Sequence, residues 1–277
     1  MGSDKPDPGQ GNPAQQQIDR VAEQLSASSR ILVVTGAGMS AESGLPTYRG
    51  SGGIYDVADT EEGIPIEEAL SASVFRTHPE ITWKYLGQII EAGRGKQFNL
   101  GHRVLSDMEA SGEFESLWVL TQNVDGFHAD AGTRQLIEIH GNIHSVTCTT
   151  CQRQQPLAER TSLPPRCDHC QAIMRPDVVL FDEMLPLRAQ QQLAEVWRDG
   201  FNVVISIGTT AVFPYIAEPM LWAADQGLPT IEINPDATRV SHLARHQFRS
   251  PAAETLARIW QTYRSRRSSC SSRSEMA

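Results

Sequence analysis

Ile18, Val21, Ala22 and Leu25 recur at helical spacing, and Ser28-Ser29-Arg30 then leads into the unbroken apolar run Ile31-Leu32-Val33-Val34. A helix followed by a buried strand is predicted. Short runs of the same kind stand at Leu117-Trp118-Val119-Leu120, Leu136-Ile137-Glu138-Ile139, Val178-Val179-Leu180-Phe181, Val203 to Ile207 and Thr230 to Ile233. Each is too short for a helix and rich in strand-forming residues. Helical patterns lie between several of them, at Pro79 to Glu91, Leu187 to Arg198 and Tyr215 to Gln226, with a last one opened by Ser250-Pro251.

Strands that alternate with helices predict an α/β fold with a parallel sheet covered on both faces. Two stretches break the alternation, 51–100 and 146–175, and these form a smaller domain in this reading. The sheet domain takes 15–50, 101–145 and 176–263. Residues 1–14 and 264–277 are polar, the latter arginines among serines without apolar period, and are expected to be disordered. The chain length, 277 residues, accommodates one large core and a smaller one.

Acidic residues outnumber basic ones 33 to 24, which disfavours nucleic acid as a primary partner. The first residues lack the apolar stretch of a secretory signal, and no apolar run approaches the roughly 20 residues that span a bilayer. A cytoplasmic location is expected. In such a compartment the five cysteines point to metal or catalysis ahead of disulfides.

The first strand runs directly into Thr35-Gly36-Ala37-Gly38-Met39-Ser40-Ala41-Glu42-Ser43-Gly44. Glycines here allow backbone amides to approach a pyrophosphate, and they also serve any tight turn. A dehydrogenase would carry an acidic residue about 20 positions on, at the end of a second strand. Asp56 lies instead in the loop-like Gly52-Gly53-Ile54-Tyr55-Asp56, so hydride transfer is disfavoured. Leu45-Pro46-Thr47-Tyr48-Arg49-Gly50 offers a ring and a cation to cover a bound ligand. Thr121-Gln122-Asn123-Val124-Asp125-Gly126 and Glu138-Ile139-His140-Gly141 place polar groups at two further strand ends, where open α/β sheets bind ligands. His140 is a candidate general base. His128 and His144 are read as structural.

Cys148-Thr149-Thr150-Cys151 and Cys167-Asp168-His169-Cys170 are Cys-x2-Cys pairs separated by 15 residues, the spacing of a tetrahedral zinc site. Four thiolates leave no coordination position for water, so the metal is structural in this reading and His169 a bystander.

Taken together, these motifs resemble the sirtuin family in order and spacing, from about Ala22 to about Ala257. Arg175-Pro176-Asp177 with Val178 to Phe181, Gly208-Thr209-Thr210, Val212-Phe213-Pro214 and Ile233-Asn234 share the likeness. The resemblance implies a Rossmann-like domain, a small domain of a helical and a zinc module, and NAD meeting an acyl-lysine peptide between them. It implies that Gly36, Ala37, Gly38, Ser40, Glu42, Tyr48, Arg49, Gln122, Asn123, Asp125, Gly208, Thr209, Thr210 and Asn234 contact NAD. Asn123 and His140 would be catalytic, the latter taking a proton from a ribose hydroxyl. Cys148, Cys151, Cys167 and Cys170 would hold zinc, and Val178, Val179, Leu180 and Phe181 would pair with a peptide strand. The implied products are nicotinamide, O-acyl-ADP-ribose and free lysine. A mono-ADP-ribosyltransferase on the same scaffold and a non-catalytic NAD sensor are the alternatives.

This chain departs from the family pattern at several places. Thr47-Tyr48-Arg49 stands for a common Asp-Phe-Arg, and Asp182 for a glycine, which is expected to disfavour acidic peptides. Members that remove succinyl groups carry Tyr-x-x-Arg in the small-lobe helix. Trp83-Lys84-Tyr85-Leu86-Gly87-Gln88-Ile89 has no such arginine. Tyr85 with Gln88, or Leu86 with Ile89, predicts preference for neutral acyl groups.

Overall fold

The computed structural model describes residues 13–47, 60–158 and 161–274. Its first helix, α1 (Pro13–Ser26), leads into β1 (Arg30–Thr35), whose last five residues are buried. Alternate side chains of β1 enter different cores. Ile31 and Val33 pack with Val21 and Leu25 of α1, Leu105 and Met108 of α6 (Leu100–Ala110), and Leu256 and Ile259 of α10 (Ala252–Ser274). Leu32 and Val34 pack with Ala189 and Val196 of α8 (Leu187–Asp199) and with Ile216 and Met220 of α9 (Pro214–Asp225). A strand covered on both faces has no polar side to display, which is why the run is apolar without alternation.

Parallel pairing joins β1 to β2 (Ser116–Thr121) on one side and to β7 (Val203–Ile207) on the other. With β3 (Leu136–Glu138), β8 (Thr230–Ile233) and β9 (His246–Phe248), the order is β3-β2-β1-β7-β8-β9. Successive strands leave β1 in opposite directions, so a crevice opens at the carboxyl ends of β1 and β7.

A second, antiparallel sheet has the order β5-β4-β6, from β4 (Gly141–Cys148), β5 (Gln154–Pro156) and β6 (Met174–Val178). It shares one core with α3 (Ile66–Ala69), α4 (Ala72–Thr77) and α5 (Pro79–Gly93), centred on Trp83, whose indole Nε1 donates to the Met174 carbonyl at 2.9 Å. The helical and cysteine segments thus fold as one packed unit. Ile143, Val178 and Leu180 belong to this core, so the small lobe reaches beyond the predicted 146–175 at both ends. Gly141, at φ +80°, marks the crossing between lobes. A Cβ there would lie 2.0 Å from the Asp177 carbonyl oxygen, so only glycine fits.

Three other expectations change. Of the run Val178 to Phe181, only Val178 lies in a strand, and that strand is in the small sheet. Val179 N instead donates to the His140 carbonyl at 2.8 Å and Phe181 N to that of Leu70 at 3.0 Å, stitching the lobes together. The segment 264–277, expected to be disordered, continues α10 as far as Ser274. Its charges find partners on the domain, Arg267 with Glu113 at 2.8 Å and Arg266 with Asp19 at 3.7 Å, and Ser268 donates back to the Arg264 carbonyl at 3.0 Å. At the other end, residues 1–12 lie outside the described residues, and Pro13 and Ala14 already open α1. The pattern also missed α6, started by Asn99, whose side chain accepts from Gly101 N and His102 N. Two very short helices, α2 (Gly38–Ala41) and α7 (Phe127–Asp130), follow β1 and β2 at the crevice. Among the described residues no helix is long and apolar enough to cross a membrane.

Candidate active site

The turns after β1 and β7 lie against each other. Gly36 N donates to the Ile207 carbonyl at 3.1 Å and Gly38 N to the Gly208 carbonyl at 2.8 Å. A Cβ on Gly36 would stand 2.7 Å from Thr209 Cβ, and one on Gly38 2.7 Å from Gly208 Cα. These glycines are therefore required by turn-to-turn contact as well as by any approach of phosphate. Gln122 Nε2 donates to Thr209 Oγ1 at 2.7 Å and Asn234 Nδ2 to the Thr209 carbonyl at 3.2 Å, so the ends of β2 and β8 are tied to the same turn.

Asn123 is 4% exposed. Its Nδ2 donates to the Gly36 carbonyl and to Ser40 Oγ, both at 3.1 Å, while Oδ1 is buried without a protein partner. An orphaned buried acceptor is costly unless a ligand donates to it. Ser40 Oγ in turn donates to Asp125 Oδ2 at 2.7 Å, and Phe127 N donates to Asp125 Oδ1 at 3.0 Å. Burial pushes the Asp125 carboxyl up, against the pull of these two donors.

His140 is held from both ring nitrogens. Its Nδ1 lies 3.1 Å from the Gln122 carbonyl, which can only accept, so the proton of the neutral ring sits on Nδ1. The Nε2 lone pair then accepts from the Tyr215 hydroxyl at 2.7 Å. Burial lowers the His140 pKa, with the Gln122 carbonyl opposing. A neutral imidazole whose Nε2 lone pair carries only an exchangeable phenol hydrogen bond at a cavity wall is the form a general base requires.

Behind these groups lies a layer the sequence reading did not assemble. Thr35 Oγ1 donates to Thr121 Oγ1 at 2.8 Å and meets His128 Nε2 at 3.0 Å. The His102 and His128 rings stand edge-on at 4.7 Å. Burial lowers His102 to about 4 and His128 well below its ordinary value, so both are neutral supports. His144 Nε2 donates to the Asp125 carbonyl at 2.9 Å.

A cavity of about 830 Å³ runs between the lobes. Gly36, Ala37, Gly38, Glu42, Gln122, Asn123, His140, Gly208, Thr209, Thr210, Asn234 and Val178 to Phe181 all line it. Ser40 and Asp125 line a smaller cavity of about 260 Å³, which shares Ala37, Ile89, Asn123 and Val124 with the first. Glu42 is partly committed elsewhere, its Oε2 accepting from Ala253 N at 2.7 Å at the start of α10. Tyr48 and Arg49 lie outside the described residues. Phe213, part of the Val212-Phe213-Pro214 likeness, lines the cavity, as do Leu70 and Tyr215, for which the sequence suggested no role at the site. Of the two registers proposed for α5, Leu86 with Ile89 faces the cavity, while the Tyr85 hydroxyl turns away to Glu62 Oε2 and Glu61 N.

The cysteines gather apart from this cavity. All four Sγ atoms of Cys148, Cys151, Cys167 and Cys170 lie within 4.8 Å of one another, with Cys148 to Cys170 at 3.4 Å and Cys151 to Cys167 at 3.6 Å. Tetrahedral zinc with bonds of about 2.3 Å requires sulfurs roughly 3.8 Å apart, so the donor set fits that ion.

Residues 36–214 match the Sir2 family. An NAD-dependent protein deacylase 2 of Pseudomonas aeruginosa is 46% identical over 229 residues, covering 81% of this chain and 88% of that protein. The protein of the same description from Pseudomonas syringae pv. tomato is 48% identical over 224 residues, with coverage of 79% and 89%. Among solved structures, a Sir2 homologue in complex with NAD superposes with a TM-score of 0.77 at 33% identity, covering 89% of this chain and 94% of its own. A Sir2 protein bound to a deacetylated p53 peptide and 3′-O-acetyl ADP-ribose gives a TM-score of 0.78 at 26% identity, with coverage of 88% and 97%.

Proposed function

The chain belongs to the Sir2 family, and we propose that it removes acyl groups from protein lysines at the expense of NAD, with His140 as the general base. The observation that carries this reading is the state of His140: neutral, proton on Nδ1, lone pair on Nε2 at the wall of the cavity. Gly36, Ala37, Gly38, Gly208, Thr209 and Thr210 line the stretch suited to the pyrophosphate and ribose of NAD, with Gln122 and Asn234 nearby for hydroxyl groups. Asn123 Oδ1, buried and unpartnered, suits the amide N–H of the nicotinamide, and Ser40 fixes Asp125 beside it. NAD supplies an anomeric carbon from which nicotinamide can leave. The site then holds the acyl oxygen of the lysine amide against that carbon, since an amide oxygen attacks only when positioned. His140 takes the proton of a ribose hydroxyl, and that oxygen attacks the acyl carbon. The four cysteines hold zinc as a structural element of the small lobe.

The acyl end of the cavity supports neutral groups. Leu86, Ile89 and Leu70 line it, and none of its described lining residues is Lys or Arg. An acyl carboxylate would find no cation there to offset its desolvation. Val179, Leu180 and Phe181 already use their amides, on His140, Glu183 Oε2 and Leu70. The Leu180 and Phe181 carbonyls accept from Glu183 N and Ala72 N, so a peptide strand added here would rely chiefly on the Val179 carbonyl. Asp182, at φ +63°, occupies the conformation that glycine favours, and its carboxylate accepts from Ala72 N at 2.9 Å at the start of α4. Its charge at the cavity rim disfavours acidic peptides.

An acyl-lysine peptide panel with NAD, read by mass spectrometry, tests the reading. Acetyl-lysine and longer neutral acyl-lysines are expected to yield free lysine, nicotinamide and O-acyl-ADP-ribose, with succinyl-lysine slower. ADP-ribose left on protein with no O-acyl product would favour the transferase alternative, and NAD binding without nicotinamide release would favour a sensor.

A further inference from the structure

Tyr215 stands in the first turn of α9, directly after Pro214, and lines the same cavity as His140. Phe213 stacks on its ring, with centroids 5.6 Å apart and planes 12° from parallel. Both rings stand edge-on to the imidazole, Phe213 at 5.7 Å and Tyr215 at 6.0 Å. The phenol is thus located by an aromatic stack and its hydroxyl is aimed at one atom, His140 Nε2, 2.7 Å away.

We infer that Tyr215 is a positioning residue for the proton-transfer half of the reaction: its hydroxyl on Nε2 and the Gln122 carbonyl on Nδ1 together hold His140 as the neutral base. The inference rests on the deacylase reading. Burial raises the Tyr215 pKa to about 12, so the phenol stays protonated at neutral pH and acts as a donor, not as a base in its own right. A donor on Nε2 requires the lone pair to be there, which selects the Nδ1–H tautomer from the second side of the ring. The phenol sets the tautomer and ring orientation before the ribose hydroxyl arrives, and the hydroxyl then takes its place at Nε2. The hydroxyl's O–H bond breaks and its proton passes to Nε2; the pair of that bond forms the new bond to the acyl carbon, whose C=N π pair moves onto the lysine nitrogen, and that nitrogen leaves as the amine once protonated. The other proton stays on Nδ1, donated to the Gln122 carbonyl throughout.

Departure of nicotinamide involves no proton transfer to His140, whereas acyl transfer does. A variant that disturbs only the base should therefore separate two activities that share a binding site. Tyr215→Phe keeps the ring on Phe213 and removes the hydroxyl. With full-length protein, NAD, an acetyl-lysine peptide and labelled nicotinamide, nicotinamide exchange and O-acetyl-ADP-ribose formation can be followed in parallel. Exchange is expected to stay within about twofold of wild type, which also reports an intact fold, while O-acetyl-ADP-ribose formation falls about tenfold through kcat, as the loss of one positioning hydrogen bond predicts. A parallel fall in both activities would reduce Tyr215 to a packing residue and overturn the inference. So would Tyr215→Phe with wild-type acyl transfer. A wild-type chain inactive in both assays would overturn the deacylase reading and this inference with it.

Discussion

At the carboxyl ends of the large-lobe strands, Asn123 keeps a buried oxygen without a protein partner and His140 keeps a lone pair at the wall of a cavity. In the small lobe, four sulfurs face one another, and Cys148 and Cys167 are wholly buried. Both regions are built from residues able to do chemistry. The first sets an unpartnered oxygen and an exchangeable hydrogen bond beside a space a ligand can enter, while the second brings four sulfurs close enough for a single ion to join them. That difference assigns reaction to the large lobe and cohesion to the small one.

The comparison breaks first at the sulfurs. Structural zinc contributes on the order of 10 kcal/mol of apparent binding free energy in small modules. Cys148 and Cys167 sit in the core that also holds Trp83 and Leu86, and Cys151 packs against it. Cys167→Ser, or prolonged chelation, is therefore expected to lower the melting temperature sharply and abolish deacylation together. Metal analysis should find one zinc per chain beforehand. A chelated protein that keeps both its melting temperature and its activity would sink the structural assignment.

His140→Ala tests the other side. General-base catalysis contributes about 10²- to 10⁴-fold, and deacylation should fall within that range while NAD affinity and melting temperature change little. Equal losses of NAD binding and turnover would instead make His140 part of the binding wall.

The strand-end region was largely legible in the sequence because its residues are local to the motifs. Gly36, Asn123 and His140 each follow an apolar run directly, and such positions in a parallel sheet converge. The cysteine spacing was legible for the same reason. What escaped was non-local. Nothing near Tyr215 marks it as a partner of His140, which is 75 positions away in the chain. The run Val178 to Phe181 is apolar because Val178 and Leu180 enter the small-lobe core and Phe181 packs against it, a pattern that a buried strand shares. On α5, Tyr85 and Leu86 are 7% and 4% exposed. Glu80, Lys84, Gln88 and Glu91 form the polar stripe of this helix, but Tyr85 and Leu86 both lie on its buried side, so periodicity could not choose which of them meets the cavity.

The support behind the strand ends should show itself in acid. His102 titrates near 4 when folded and near the ordinary 6.5 when unfolded. Between those values the unfolded chain binds a proton that the native chain refuses, so stability falls as pH falls from about 6.5 to about 4. His102 alone accounts for about 3 kcal/mol over that window. His128 acts in the same direction, and Asp125, raised by burial, acts in the opposite one. The difference between wild type and His102→Gln in urea unfolding across this range is therefore the measure. Parallel curves for the two proteins would mean that His102 is protonated in the native state.

The smallest effect lies where the two regions meet, at the acyl end of the cavity. Leu86 and Ile89 stand one helical turn apart and both face it, which is the i, i+3 arrangement that lets two side chains act on one ligand. Leu86→Tyr with Ile89→Arg would place a donor and a cation there. A bidentate arginine pairs well with a carboxylate, but it must be desolvated among apolar neighbours such as Leu70, so the gain is modest. The succinyl-to-acetyl ratio of kcat/KM is expected to rise about tenfold, mainly through loss of acetyl activity. Nicotinamide exchange with an acetyl peptide would fall with it, because the same side chains hold the acyl group for the first step. An unchanged ratio in a folded double variant would mean that the acyl group lies against Phe213 and Val178 instead of α5.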